Sequence, residues 1–146
     1  MTTVVATGAF TILHPGHVLY LEEAKKLGDK LIVIVARDTM VEKRKNQRFV
    51  TEEQRLAVVK ALKPVDDAIL GDDEDIYKPI LRIRPDILAL GKDQDFNEEE
   101  LAEELRKRGL RTRVVRIQKY WMDGLHSSRH IIARIREKDA PESKKK

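Results

Sequence analysis

Two histidines three residues apart, His14 and His17, flank Pro15 and Gly16 shortly after a β-branched apolar run, Thr3-Val4-Val5-Ala6. The run reads as a strand, and the stretch around Gly8 reads as a turn. The segment from Val18 to Leu27 reads as a helix with Leu19, Leu21, Ala24 and Leu27 on its buried stripe. Pro15 suits the first helical position, which makes His14 the cap. Gly16 admits a ligand close to first-turn N–H groups that lack partners inside the helix, and that end of a helix attracts phosphate. The three-residue spacing puts both imidazoles on one side of the first turn, where an anion would sit. Taken singly, each histidine is most simply a cap or a surface residue. Together with the glycine turn and the proline, they point to a phosphate site.

Lys30 to Ala36 is a continuous apolar run of the kind buried on both faces of a parallel sheet. Arg37 and Asp38 follow it at the same carboxyl edge as His14, and a basic loop, Glu42-Lys43-Arg44-Lys45-Asn46-Gln47-Arg48, is expected beyond them. Alone, this loop would be a solvated charge cluster; beside the histidine turn it suits a triphosphate. Thr51-Glu52-Glu53-Gln54 is a capping box for a helix carrying Leu56, Val58, Val59 and Leu62, in which Arg55 suits a surface ion pair. Val65 to Leu70 forms a short strand and Ile76 to Ile83 a helix. The acids Asp72, Asp73, Glu74 and Asp75 between them suit a polar turn and cap better than a metal site. Asp86 to Leu90 is another buried strand, running into Gly91-Lys92-Asp93-Gln94. A helix from Asn97 to Arg108 buries Leu101 and Leu105 and stops at Gly109, and Thr112 to Ile117 is an edge strand. Ser127 caps a last helix reaching about Arg136; the segment reads equally as an ordinary serine cap or, with the Ser128 hydroxyl and the Arg129 guanidinium, as a second anion site. The expected class is therefore α/β: a Rossmann-like, doubly wound, five-stranded parallel sheet with its polar clusters along one edge.

The 146 residues suffice for one domain, expected over residues 1–138, followed by a basic, disordered tail, 139–146. Cysteine is absent, which excludes disulfides, thiolate nucleophiles and cysteine metal sites. The formal charge of +4, partly in the tail, is weak support for nucleic acid as a partner, and none is expected. Neither a membrane span nor a signal pattern is apparent, so a cytoplasmic protein without a membrane partner is expected. No serine or threonine is paired with a general base in the pattern of an activated nucleophile. The economical reaction is direct in-line displacement, in which an acceptor phosphate, already ionised, attacks a nucleotide α-phosphorus.

Gly8-Ala9-Phe10-Thr11-Ile12-Leu13-His14-Pro15-Gly16-His17 resembles the signature of the cytidylyltransferase-like nucleotidyltransferases, whose defining element is a His-x-Gly-His turn. The family usually has Asp after the Phe; Thr11 stands there in this chain. Val33 to Asp38, Glu52 to Arg55, Lys63 to Asp66, Pro85 to Ile87 and His126-Ser127-Ser128 resemble the archaeal branch that adenylylates FMN, and the similarity spans about Val4 to Arg136. Arg129 and His130 replace a hydroxyl and a lysine of the broader family pattern, and Arg55 resembles a family-typical position.

The resemblance implies that His14 and His17 meet the α-phosphate. It also implies that Lys45 or Lys43, with Ser127, Ser128 and Arg129, holds the β- and γ-phosphates, and that Asp93 lies near the nucleoside. Ala9, Phe10, Pro15 and Gly16 would complete the nucleotide contacts, and Tyr120 would border the base or the acceptor. The implied substrates are ATP and FMN, with CTP and glycerol 3-phosphate or a related alcohol phosphate as the alternative pair. A non-catalytic nucleotide-binding module is a third reading. Mg²⁺ or another divalent cation would arrive on the triphosphate, with no metal site of the chain's own, and a homodimer is expected.

Overall fold

The described residues form eleven elements in the order β1 (Thr3–Gly8), α1 (Pro15–Lys25), β2 (Lys30–Val35), α2 (Asp38–Lys45), α3 (Glu52–Lys60), β3 (Asp67–Leu70), α4 (Tyr77–Ile83), β4 (Ile87–Leu90), α5 (Glu98–Lys107), β5 (Arg113–Arg116) and α6 (Ser128–Asp139). The structure, a computed structural model, describes residues 1–45, 50–119 and 128–139, and the side chains of 1–41, 50–119 and 130–138. The five strands form one sheet in the order β3-β2-β1-β4-β5, every neighbouring pair parallel. The order reverses between β1 and β4, and open sheets of this kind take ligands outside the carboxyl ends of the strands at such a reversal.

Strand side chains alternate between two apolar layers. Val4, Ala6, Leu31, Val33 and Val35 pack with Leu21 and Ala24 of α1 and Val59 of α3. Val5, Ile34, Leu88 and Leu90 pack with Ile80 of α4 and Leu101 and Leu105 of α5. Helices therefore cover both faces. This is why β1, β2 and β4 read as near-continuous apolar runs, while β5, at the sheet's edge, alternates more.

The helix starts obey local chemistry. Thr51 and Gln54 complete a reciprocal capping box on α3, and Asn97 caps α5 by accepting from the Glu100 N–H at 3.0 Å. Beyond α5, Gly109 takes a left-handed φ of 89°.

One expectation is corrected. The basic segment read as a loop is helical as far as Lys45, because Asp38 favours the first turn and neither Gly nor Pro interrupts Asp38 to Lys45. With Val41 as the buried apolar side chain, the segment offers little helical period for a sequence to show. Lys43 and Lys45 thus lie on α2, although their side chains, and residues 46–49, fall outside what is described. The tail beyond Asp139 is likewise outside it.

Asp66 joins three elements just before β3. Its carboxylate accepts from the Leu31 N–H of β2 at 2.7 Å and pairs with Lys25 of α1. Lys25, first, and then the Leu31 N–H hold the Asp66 carboxyl below its ordinary value. Stabilisation from a depressed carboxyl is fully present above the ordinary carboxylate range and is lost as pH falls through the lowered value. Asp66→Asn is expected to reduce stability at neutral pH and to flatten its acid-side decline, measured by urea unfolding at a series of pH values.

Candidate active site

The ladder between β1 and β4 stops at Ala6 opposite Ala89, and side chains occupy the parting beyond it. Thr7 turns its N–H to the Tyr20 hydroxyl (3.2 Å), and its carbonyl accepts from Gln94 Nε2 at 2.9 Å. The Tyr20 hydroxyl lies 2.8 Å from the Ala89 carbonyl, to which it donates, and burial pushes that hydroxyl's pKa well above its ordinary value. Gln94 Oε1 accepts from the Gly91 N–H at 2.7 Å. A helix and a loop thereby span the two strand ends where the sheet reverses.

The turn after β1 is shaped by a single small residue. Phe10 adopts a left-handed φ of 53° and is almost completely buried. A Cβ at Gly8 would stand 2.8 Å from its ring, so glycine is what lets the ring fold back. A bulky residue in this backbone region costs on the order of 1–3 kcal/mol and persists only where its surroundings impose it. Here the imposed position is useful: the Phe10 ring lies 5.1 Å from that of His17 and backs it.

Arg55 holds this turn from below. It is 2% exposed, and its Nη1 donates to the carbonyls of Ala9 and Ala36, both at 2.7 Å. Nη2 pairs with Asp38 at 2.8 Å, and Nε donates to the Val50 carbonyl at 3.1 Å. One guanidinium thus ties the histidine turn to the end of β2 and the start of α2. The surface ion pair expected for Arg55 is corrected: the pair exists, but it is buried. Its sequence signal was a charge at position 55 on the same helical stripe as Val59 and Leu62. Thr11, in the family's usual Asp position, is also buried, and its hydroxyl has no hydrogen-bond partner among the described residues.

His14 is the N-cap of α1, and Pro15 is its first residue. The Gly16 N–H donates to His14 Nδ1 at 3.1 Å, and the His17 N–H donates to the His14 carbonyl at 3.0 Å, which the Val18 N–H also approaches at 3.4 Å. The unpartnered donors expected at this tip are therefore satisfied by His14 itself. Because Nδ1 accepts, the proton of the neutral ring resides on Nε2, which makes Nε2 a donor. The His14 and His17 rings stack with centroids 3.8 Å apart, so the paired imidazoles of the sequence form one unit at the positive end of a helix dipole.

Asp93 is exposed in the loop after β4, also at the carboxyl edge. Ala9, Phe10, Pro15 and Gly16 lie with the histidines, as their sequence adjacency requires. Tyr120 and Ser127, and the side chains of Lys43, Lys45, Ser128 and Arg129, fall outside the described residues. Among the described residues, no group of three or more His, Asp or Glu side chains could hold a metal ion. Tyr20, Gln94 and Arg55, which shape the site, were missed as site residues, since single polar residues inside helices and turns carry no motif.

A parallel α/β sheet with a histidine-bearing helix tip beside its reversal defines a fold of the nucleotidyltransferase type. The chain belongs to the cytidylyltransferase-like family, whose sequence profile matches residues 5–135. Similar proteins include the FAD synthase of Archaeoglobus profundus, 62% identical over 92% of this chain and 86% of that one. The FAD synthase of Ferroglobus placidus is 59% identical over 100% and 99% of the two chains. Among solved structures, the lipopolysaccharide core biosynthesis protein of Thermoplasma volcanium superposes with a TM-score of 0.81 at 47% identity, covering 83% of this chain and 99% of that one. Pantoate-β-alanine ligase of Francisella tularensis, at 18% identity and a TM-score of 0.59, covers 97% and 66% and shares the fold.

Arg55→Leu is expected to destabilise the protein by about 3–5 kcal/mol, since Asp38 and three carbonyls lose a buried charged partner. Arg55→Lys should recover only part of that, because an ammonium cannot match the planar fork. Guanidinium chloride unfolding of the two variants checks both.

Proposed function

We propose that the protein transfers AMP from ATP to FMN. An oxygen of the FMN phosphate forms a bond to the α-phosphorus of ATP, the bond from that phosphorus to the bridging oxygen breaks, and FAD and pyrophosphate result. The observation that carries the reading is the stacked imidazole pair at the helix tip beside the sheet's reversal. Capping fixes the tautomer of His14, so that its Nε2 is the donor type that suits an α-phosphate as negative charge shifts toward the leaving pyrophosphate. His17, braced by Phe10, supplies the second imidazole. Relatives about 60% identical to this chain and named FAD synthase support ATP and FMN over CTP and an alcohol phosphate.

In this reading the basic stretch of α2 meets the β- and γ-phosphates through Lys45 or Lys43. Ser127, Ser128 and Arg129 meet them from the start of α6, and Asp93 meets the nucleoside. Tyr120 borders the base or the flavin. The acceptor phosphate is already ionised, so the chain need not supply a base; it aligns the two phosphates and neutralises charge. A divalent cation such as Mg²⁺, carried by the triphosphate, would add to that neutralisation. A homodimer in the cytoplasm completes the proposal; no described helix is long and apolar enough to cross a membrane.

Purified protein with Mg²⁺, ATP and FMN should release pyrophosphate and form FAD, whereas CTP with glycerol 3-phosphate should yield none. His17→Ala is expected to lower turnover more than about a hundredfold, the scale of a lost transition-state donor. Turnover within a few-fold of the parent enzyme would remove His17 from the chemistry.

A further inference from the structure

We propose that Arg116 is the positioning residue of the loop Gly91–Phe96, holding its peptide planes so that main-chain N–H groups face the nucleotide. The inference rests on the nucleotidyl-transfer reading above and extends it to a residue on the edge strand. Arg116 is the last residue of β5, and its side chain is largely covered. Nη1 lies 2.8 Å from the Gly91 carbonyl, 2.9 Å from that of Gln94 and 3.3 Å from that of Lys92. Nη2 donates to the Phe96 carbonyl, and Nε pairs with Glu98 at the start of α5. Four carbonyls of one short loop therefore converge on one cation.

This convergence has a geometric consequence for the opposite side of the loop. The described chain contains no cis peptide, and in a trans peptide the N–H points away from the carbonyl of the same plane. Carbonyls of Lys92 and Gln94 drawn toward the Arg116 guanidinium turn the N–H groups of Asp93 and Asp95 away from it. In the strand order, β1 and its histidine turn lie across β4 from β5. Gln94 anchors that side by donating to the Thr7 carbonyl. The loop is thus held from both flanks, by Arg116 at the edge and by Gln94 at the parting of the strands. A row of N–H donors suits the acceptor atoms of a nucleoside, namely ribose oxygens and ring nitrogens; with its peptides flipped, the loop would offer carbonyls instead. The planar fork of arginine can serve several carbonyls in one plane, which a lysine ammonium cannot.

The test measures ATP binding by calorimetry with ATP as sole ligand, and the KM values for ATP and FMN, in Arg116→Lys and Arg116→Gln. ATP affinity should fall by about tenfold or more in both, with a matching rise in the KM for ATP, while the KM for FMN moves less than about twofold; tenfold is the scale of one net hydrogen-bond network. A lower melting temperature with unchanged ATP affinity would make Arg116 purely structural and overturn the inference, as would unfolding of both variants. If Arg116→Gln alone fails to fold, Arg116→Lys, which retains the charge and the stem, decides. Should the parent protein bind ATP but form no FAD, the proposed reaction fails, while weakened ATP binding in Arg116→Lys still upholds the role of Arg116. If the parent binds no ATP, both fall.

Discussion

The parting of β1 from β4 is the constraint on which the rest of the site depends. Up to Ala6 and Ala89 the two strands satisfy each other's backbone groups; beyond that pair, Thr7 must find other partners. Tyr20 from α1 and Gln94 from the loop after β4 provide them, so the parting of the strands and the fixing of its flanks are one event. An unfilled parting would leave buried polar groups without partners, each a loss of about 1–3 kcal/mol. The walls are therefore determined by backbone satisfaction before any ligand arrives.

Two arginines perform similar work at opposite ends of this edge. Arg55 gathers carbonyls from the histidine turn and from the end of β2, and Arg116 gathers carbonyls from the loop after β4. Loops at a sheet edge carry many backbone acceptors and few partners, and a planar guanidinium can satisfy several of them at once.

Much of the fold was legible because its signals were local and strong. Continuous apolar runs marked β2 and β4, the capping box marked α3, and Pro15 after His14 marked the start of α1. The histidine turn was legible for the same reason, as a motif in consecutive residues. What was not legible depended on distant partners. Arg55 carries no motif of its own, and only its neighbours across the fold show it to be buried. Helix α2 has too little apolar periodicity to announce itself, and the satisfied donors at the tip of α1 follow from the rotamer of His14, which spacing does not specify.

His14 begins a helix and, in the proposed mechanism, also meets the reacting phosphate, both through one imidazole. Serine or aspartate is a stronger cap at such a position, so a sequence selected for sturdiness alone would drift away from histidine there. In that mechanism the ring is a place where durability and turnover compete for the same atoms, and gains in thermal resistance would have to come from elsewhere in the chain.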